Sequence, residues 1–329
     1  MRTALIASIP SPSFSDLELG PLTLRMYGLA IALGVIAAVV ISSRRWEARG
    51  GNPDDIGTIA IWAVPAGVVG ARLYHVITDW KTYRDDWGGA LDITSGGLGI
   101  PGGIALGVLA GYVVVRVRKL PARPLLDVVA PALPVAQAIG RLGNWFNQEV
   151  FGRPTSLPWG LEIDPEHRPD RYLDEPTFHP TFLYEGLWNL SLAGVLILLD
   201  RRGRLRPGEL FNLYVLGYAV GRLWVEGLRS DEASLILGVR VNIWMSVLVA
   251  LAAIAVFVWR RRRPAPADSS PGAGDDAGHD AASDPAEGSA DRGSAGAGAG
   301  AGADATDGAD PLVAPEGGAD RGPSGPEPD

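Results

Sequence analysis

Cysteine is absent from all 329 residues, which excludes disulfide bonds and thiolate metal sites. Histidine occurs only at His75, His167, His179 and His279. No cluster of histidines and acids has metal-ligand spacing, so no metal or other cofactor is expected. The first twenty residues lack an apolar core long enough for a cleavable signal peptide and are interrupted by prolines and acids. From about Pro264 onward the chain lacks aromatic residues and any apolar period. It runs to the end in Ala, Gly, Asp, Pro and Ser, with fourteen acids against Arg292 and Arg321. Such a segment buries too little surface to offset its ordering entropy, and disorder is expected over residues 264–329. The formal charge of −8 therefore averages a tail of −12 with a body of +4.

Residues 1–263 are built from long apolar runs separated by short charged loops. Taking roughly 20 apolar residues as the length that crosses a bilayer, seven spans are expected. They lie near Leu24–Ser42, Ile56–Thr78, Gly96–Val117, Leu125–Phe146, Leu183–Leu199, Glu209–Leu228 and Val241–Trp259. The fold class is thus an all-α membrane protein with an acidic C-terminal tail. Basic residues cluster after the odd-numbered spans: Arg44, Arg45 and Arg49; Arg116, Arg118, Lys119 and Arg123; Arg201 to Arg206; Arg260 to Arg263. The alternate loops are more acidic, as in DWKTYRDDWGGALD. The positive-inside bias then sets the N-terminus outside and the tail in the cytoplasm.

With that topology, spans two, four and six rise from the cytoplasm, and each carries an arginine in its outer half: Arg72, Arg141 and Arg222. The starts of the other spans, including Tyr27, GGLGIPGG and His179 to Glu185, fall at the same level. Gln137, Arg141, Asn144 and Gln148 recur at helical spacing and are expected on one face, as are Tyr218, Arg222, Glu226 and Arg229. Arg222 and Glu226 alone could be a structural ion pair. Three buried arginines beside Asn144, Asn147, Gln148 and Glu149 point instead to an anionic ligand, and the guanidinium fork matches a phosphate.

The stretch GRLGNWFNQEVFG, from Gly140 to Gly152, closely resembles the signature of the phosphatidylglycerol–prolipoprotein diacylglyceryl transferases, enzymes of bacterial lipoprotein maturation. LRMYGLA, GARLYHV, SGGLGIPGG, HPTFLYEG and GYAVGRLWVEGLRSD are similar to further family motifs, in family order. The resemblance spans about Leu22 to Trp259. It implies transfer of the diacylglyceryl group of phosphatidylglycerol to the lipobox cysteine of an exported prolipoprotein, with release of glycerol 1-phosphate. It also implies the bacterial plasma membrane, a site facing outward, membrane lipid as surroundings and no nucleic-acid partner. By the resemblance, Arg141 and Arg222 hold the lipid phosphate, and Tyr27, Asn144, Glu149, Gly152 and Glu226 line the site. Arg72 and Tyr218 join them as expected binding residues, and His75, one turn after Arg72, and Glu149 are the candidate bases. In many family members a histidine precedes the paired glycines of the third-span motif. Here that position is Pro101, which accepts no proton.

Two rival classes make different demands. A transporter or binding protein for an anionic lipid or organic anion would use the same arginines, but a transporter predicts an inverted repeat that the two halves do not show. A metal-dependent phosphatidyl transferase needs several membrane aspartates, and Asp127 alone lies within a span.

Overall fold

The chain enters its first long helix from a short antiparallel hairpin. In the computed structural model, which describes residues 8–20, 22–84, 87–92, 96–231 and 234–263, β1 (Asp16–Leu19) pairs with β2 (Leu22–Arg25), Asp16 opposite Arg25. The tail expected to be disordered lies outside the described residues. Helix α1 (Met26–Glu47) follows directly. Helix α2 (Pro53–Thr78) starts where its sequence asks: Asn52 accepts the Asp54 N–H, Pro53 fills the first helical position, and Asp54 and Asp55 complement the positive end of the helix.

Two short helices, α3 (Trp80–Tyr83) and α4 (Trp87–Leu91), lead to α5 (Ile100–Val117). The third expected span thus begins four residues late. Gly96 and Gly97 adopt φ of 93° and 69°, which a helix cannot hold, and Pro101 sits in the first turn, where its missing N–H costs nothing. The fourth expected span is also corrected. It is two helices, α6 (Ala122–Val129) and α7 (Ala132–Phe146), bent by 40° around Pro131, whose ring and lost donor interrupt the ladder. Then come α8 (Thr181–Arg201), α9 (Glu209–Leu228) and α10 (Val241–Arg262). Between α7 and α8 the segment folds on itself through β3 (Leu161–Glu162) and β4 (Thr177–Phe178), and a second small hairpin, β5 (Leu235–Ile236) with β6 (Val239–Arg240), joins α9 to α10.

Helices α1, α2, α5, α8 and α10 are long and apolar enough to cross a membrane, and the bent pair α6–α7 makes a sixth span if counted as one. Helix α9 has the length but not the composition, because Glu209, Arg222 and Glu226 dilute it. It packs between α8 and α10, and Glu209 and Glu226 are completely buried. The surface is what a hydrocarbon solvent selects: Ile61, Ile104 and Leu248 are exposed, whereas Asn144, Glu185, Asn189 and Glu226 are buried.

The long helices pack as a row in which α5 meets α2, α2 meets α1, α1 meets α7, and α7, α8, α9 and α10 follow in sequence. Small residues set the closest crossing: a methyl on Gly70 would collide with the Gly102 carbonyl, and one on Gly102 with that of Gly70. Ion pairs bind the basic ends together. Arg45 and Arg49 reach Asp200 at 3.0 and 2.7 Å, Arg118 reaches Asp55 at 2.9 Å, and Arg261 reaches Glu209 at 2.8 Å. Asp127 accepts the Phe211 N–H at 3.0 Å, capping α9 rather than facing a ligand.

Candidate functional site

Three helices supply the charged centre. Arg141 on α7 and Arg222 on α9 both reach Glu185, near the start of α8, at 2.5 and 3.2 Å. Arg222 also lies 2.8 Å from Glu226, one turn further along α9. That Glu226 oxygen has no directed hydrogen bond, so charge alone holds it there. Its other oxygen accepts from Arg240 at 2.7 Å and from Asn242 at 3.2 Å. The centre therefore contains more acid than the sequence suggested. Glu185 and Glu226 interleave the arginines, so the expected excess of cations over acids is not found at the pair: Arg141 and Arg222 share Glu185, and Arg222 also meets Glu226.

Around this pair the structure assembles most of the expected residues. Arg141 donates to Asn144 at 3.1 Å, and Asn144 in turn donates to Glu149 at 2.8 Å. Asn147 also points at Glu149, at 3.5 Å. Tyr27 packs on Gly143, where any side chain would strike its ring, and lies within electrostatic reach of Glu149 and Arg141. Tyr218, one turn before Arg222, borders with it a cavity of about 10 Å³, room for one water. Gly152 is a crossing point: its N–H bonds the His179 carbonyl at 2.9 Å, it bridges Arg229, and a Cβ there would meet that of His179. Packing of three segments fixes it as glycine.

Arg72 and His75 stand apart. The Arg72 guanidinium donates to the carbonyls of Gly89, Ala90, Gly96 and Gly97 at 2.5 to 3.1 Å and lies over the Tyr83 ring. It ties α2 to the segment before α5. His75 packs edge-on against Tyr83 and touches Gly97's position. Among the described residues neither contacts Arg141, Arg222 or Glu185, so the expected trio of arginines divides into a linked pair and a separate residue. The common face expected for Gln137 to Gln148 also divides. α7 ends at Phe146, and Gln148, with φ of 49°, turns away to pair with Asp164, while Gln137 donates to Tyr214 at 3.0 Å.

At the end of α9 a second charged group continues from Glu226. Arg229 pairs with Asp231 through two bonds of 2.7 Å, and Arg240 joins both Glu226 and Asp231. Burial works against both charges, but the pairing outweighs it: Arg229 is held above its ordinary value and Asp231 below its own. His179 is the opposite case, its imidazole held below the usual range by burial and then by Arg153. It faces Tyr184 at 3.2 Å. Glu185 carries a sequence signal in HPTFLYEG, whereas Arg240, in a two-residue strand, carries none. Asp164, Glu166 and His167 come within 4.8 Å of one another, yet all three are exposed and Asp164 is held by Gln148.

The family model for prolipoprotein diacylglyceryl transferase matches residues 15–259. The chain is 52% identical over 256 residues to a phosphatidylglycerol–prolipoprotein diacylglyceryl transferase of Streptomyces coelicolor, covering 77% of this chain and 81% of that one. It is 49% identical to the enzyme of that name from Frankia alni, over 81% of this chain and 71% of the other. The Rhodococcus jostii enzyme is likewise 49% identical, over 82% and 81%. A model spanning most of the chain and relatives at this level leave one assignment: the chain is a membrane-embedded member of the prolipoprotein diacylglyceryl transferase family.

Proposed function

We propose that the chain transfers the diacylglyceryl group of phosphatidylglycerol to the lipobox cysteine of exported prolipoproteins. Sulfur attacks the glyceryl carbon that carries the phosphate, the C–S bond forms as the C–O bond breaks, and the electron pair leaves with the phosphate. The thiol proton ends on the departing glycerol 1-phosphate. Negative charge thus gathers on a phosphate leaving group, and fixed guanidiniums in a water-poor site stabilise it far more than they would in water.

The observation that supports this most is the convergence of Arg141 and Arg222 on Glu185 from separate helices. One shared carboxylate orients both planar forks toward one place, and paired guanidinium forks match the oxygens of a phosphodiester. Asn144 and Glu149 extend the site from Arg141, and Tyr27 closes it from α1. Pro101 stands at the family's histidine position and His75 lies with Arg72, so neither supplies a base beside the pair. Nearby cations lower a thiol pKa by a unit or more from about 8.5, and electrostatic activation of the incoming cysteine carries the step.

The loop-charge bias supports an N-terminus outside, seven spans and a site opening toward the outer leaflet of the bacterial plasma membrane. The decisive experiment supplies phosphatidylglycerol and a lipobox peptide to the purified full chain in nanodiscs. A thioether-linked diacylglyceryl peptide by mass spectrometry is the expected product. Its absence with folded, lipid-bound protein overturns the reading.

A further inference from the structure

We infer a second anion site, for a phosphate monoester, in the open cleft where the end of α9 meets the start of α10 and the segment before α8. Its identification with the soluble product rests on the transferase reading above. The cleft encloses about 650 Å³, and its described lining carries Arg153, Arg171, Arg229 and Arg240 with two carboxylates, Glu226 and Asp231. Those carboxylates are already engaged by Arg222, Arg229 and Arg240. Arg153 and Arg171 are different. Both are exposed, and their hydrogen bonds go to main-chain carbonyls, Arg153 to Gly227 at 2.9 Å and Arg171 to Ser230. A carbonyl orients a guanidinium without neutralising it. Among the described residues neither charge is met by a carboxylate, and each fork keeps donors for an incoming anion.

Position gives the cleft its relation to the chemistry. Glu226 belongs to both places, touching Arg222 on one side and lining the cleft on the other. From Arg141 through Glu185, Arg222 and Glu226 to Arg240, successive charged groups stand 2.5, 3.2, 2.8 and 2.7 Å apart. The row links the Arg141–Arg222 pair to the cleft through alternating arginines and carboxylates, so the cleft arginines stand one charged contact beyond the pair. The charge change on transfer suits the cleft. A phosphodiester carries one negative charge, whereas a monoester approaches two at neutral pH, since its second pKa is about 6. Among the described residues, four arginines against two carboxylates match the monoester better than the lipid from which it derives.

Calorimetry on the full chain in nanodiscs tests this, with glycerol 1-phosphate and inorganic phosphate as soluble probes and phosphatidylglycerol vesicles as the lipid source. Both soluble probes should bind without turnover, and Arg153→Gln with Arg171→Gln should weaken them about tenfold or more. Asp231→Asn removes a competing negative charge and should tighten them several-fold, a change that misfolding cannot mimic. Unchanged affinity in the double variant, or weaker binding in Asp231→Asn, overturns the site. No binding of the soluble probes overturns the monoester, and vesicle binding that the Arg153→Gln, Arg171→Gln variant weakens then assigns the cleft to a lipid headgroup. Because binding is read without catalysis, a wild-type chain that binds the probes but transfers nothing refutes the transferase reading alone.

Discussion

Glu185 on α8 stands 2.5 Å from Arg141 on α7, and this contact fixes the geometry of the site. With only 6% of its side chain exposed, Glu185 cannot turn to solvent, so it holds Arg141 and Arg222 at one place. Removing one member of a buried ion pair costs about 3–5 kcal/mol, because the remaining charge stays buried and unpaired. Glu185→Ala should therefore lower the thermal midpoint sharply, while Glu185→Gln, which keeps shape and acceptor, should fold and lose most transfer activity. Near wild-type turnover in Glu185→Gln would show that the shared carboxylate is incidental.

Arg141→Lys and Arg222→Lys keep the charge and lose the planar fork. Each should reduce turnover by about a hundredfold or more, the scale on which one fixed transition-state donor acts. The measurement is thioether formation at saturating phosphatidylglycerol. If both variants fold and work normally, the phosphate is held elsewhere.

His75→Ala should cost only modestly, because His75 contacts Tyr83 and the Gly97 segment rather than the arginine pair. The pH profile of turnover should follow the peptide thiol and shift when a more acidic thiol or a selenol replaces it. Complete loss of activity in His75→Ala, with expression and lipid binding intact, would make His75 the base.

Topology has a direct check. A reporter fused after Arg263 should report the cytoplasm, and one inserted near Glu166 the outside. Ending the chain at Arg263 should leave activity in membranes intact, since the omitted residues have the composition of a disordered segment. Both reporters on one side would refute the seven-span arrangement; loss of activity without loss of protein would give the tail a role.

His179 gives stability a pH dependence of known sign. Its imidazole is held below the ordinary value of 6.5 by burial and by Arg153, so the unfolded chain binds the proton first on acidification. The associated stability is complete above that ordinary value and is lost as pH falls through the folded value. The thermal midpoint of the wild type should drop on going from about pH 7.5 to about 5.5, and His179→Gln should flatten part of that drop. Identical slopes for the two proteins would remove His179 from the account.

Sequence alone determined the elements whose cause is local. Apolar run length set the long helices, Asn52-Pro53-Asp54 set the start of α2, and the 140–152 motif pointed to the family and to Arg141, Asn144 and Glu149 of the candidate site. Arg141, Asn144 and Glu149 are near neighbours in the chain, so their contacts follow from one helix end. The tertiary structure decided what depends on which helices meet. Glu185 joins Arg141 to Arg222 across three helices, and Arg240 completes Glu226 from a two-residue strand that carries no periodic signal. Arg72 illustrates the limit best. Its depth along α2 resembles that of the other two arginines. However, two left-handed glycines bend the segment before α5 around it and satisfy its guanidinium with carbonyls. Helical rise gives a residue's height in the bundle; only packing of separate segments decides which neighbours it meets there.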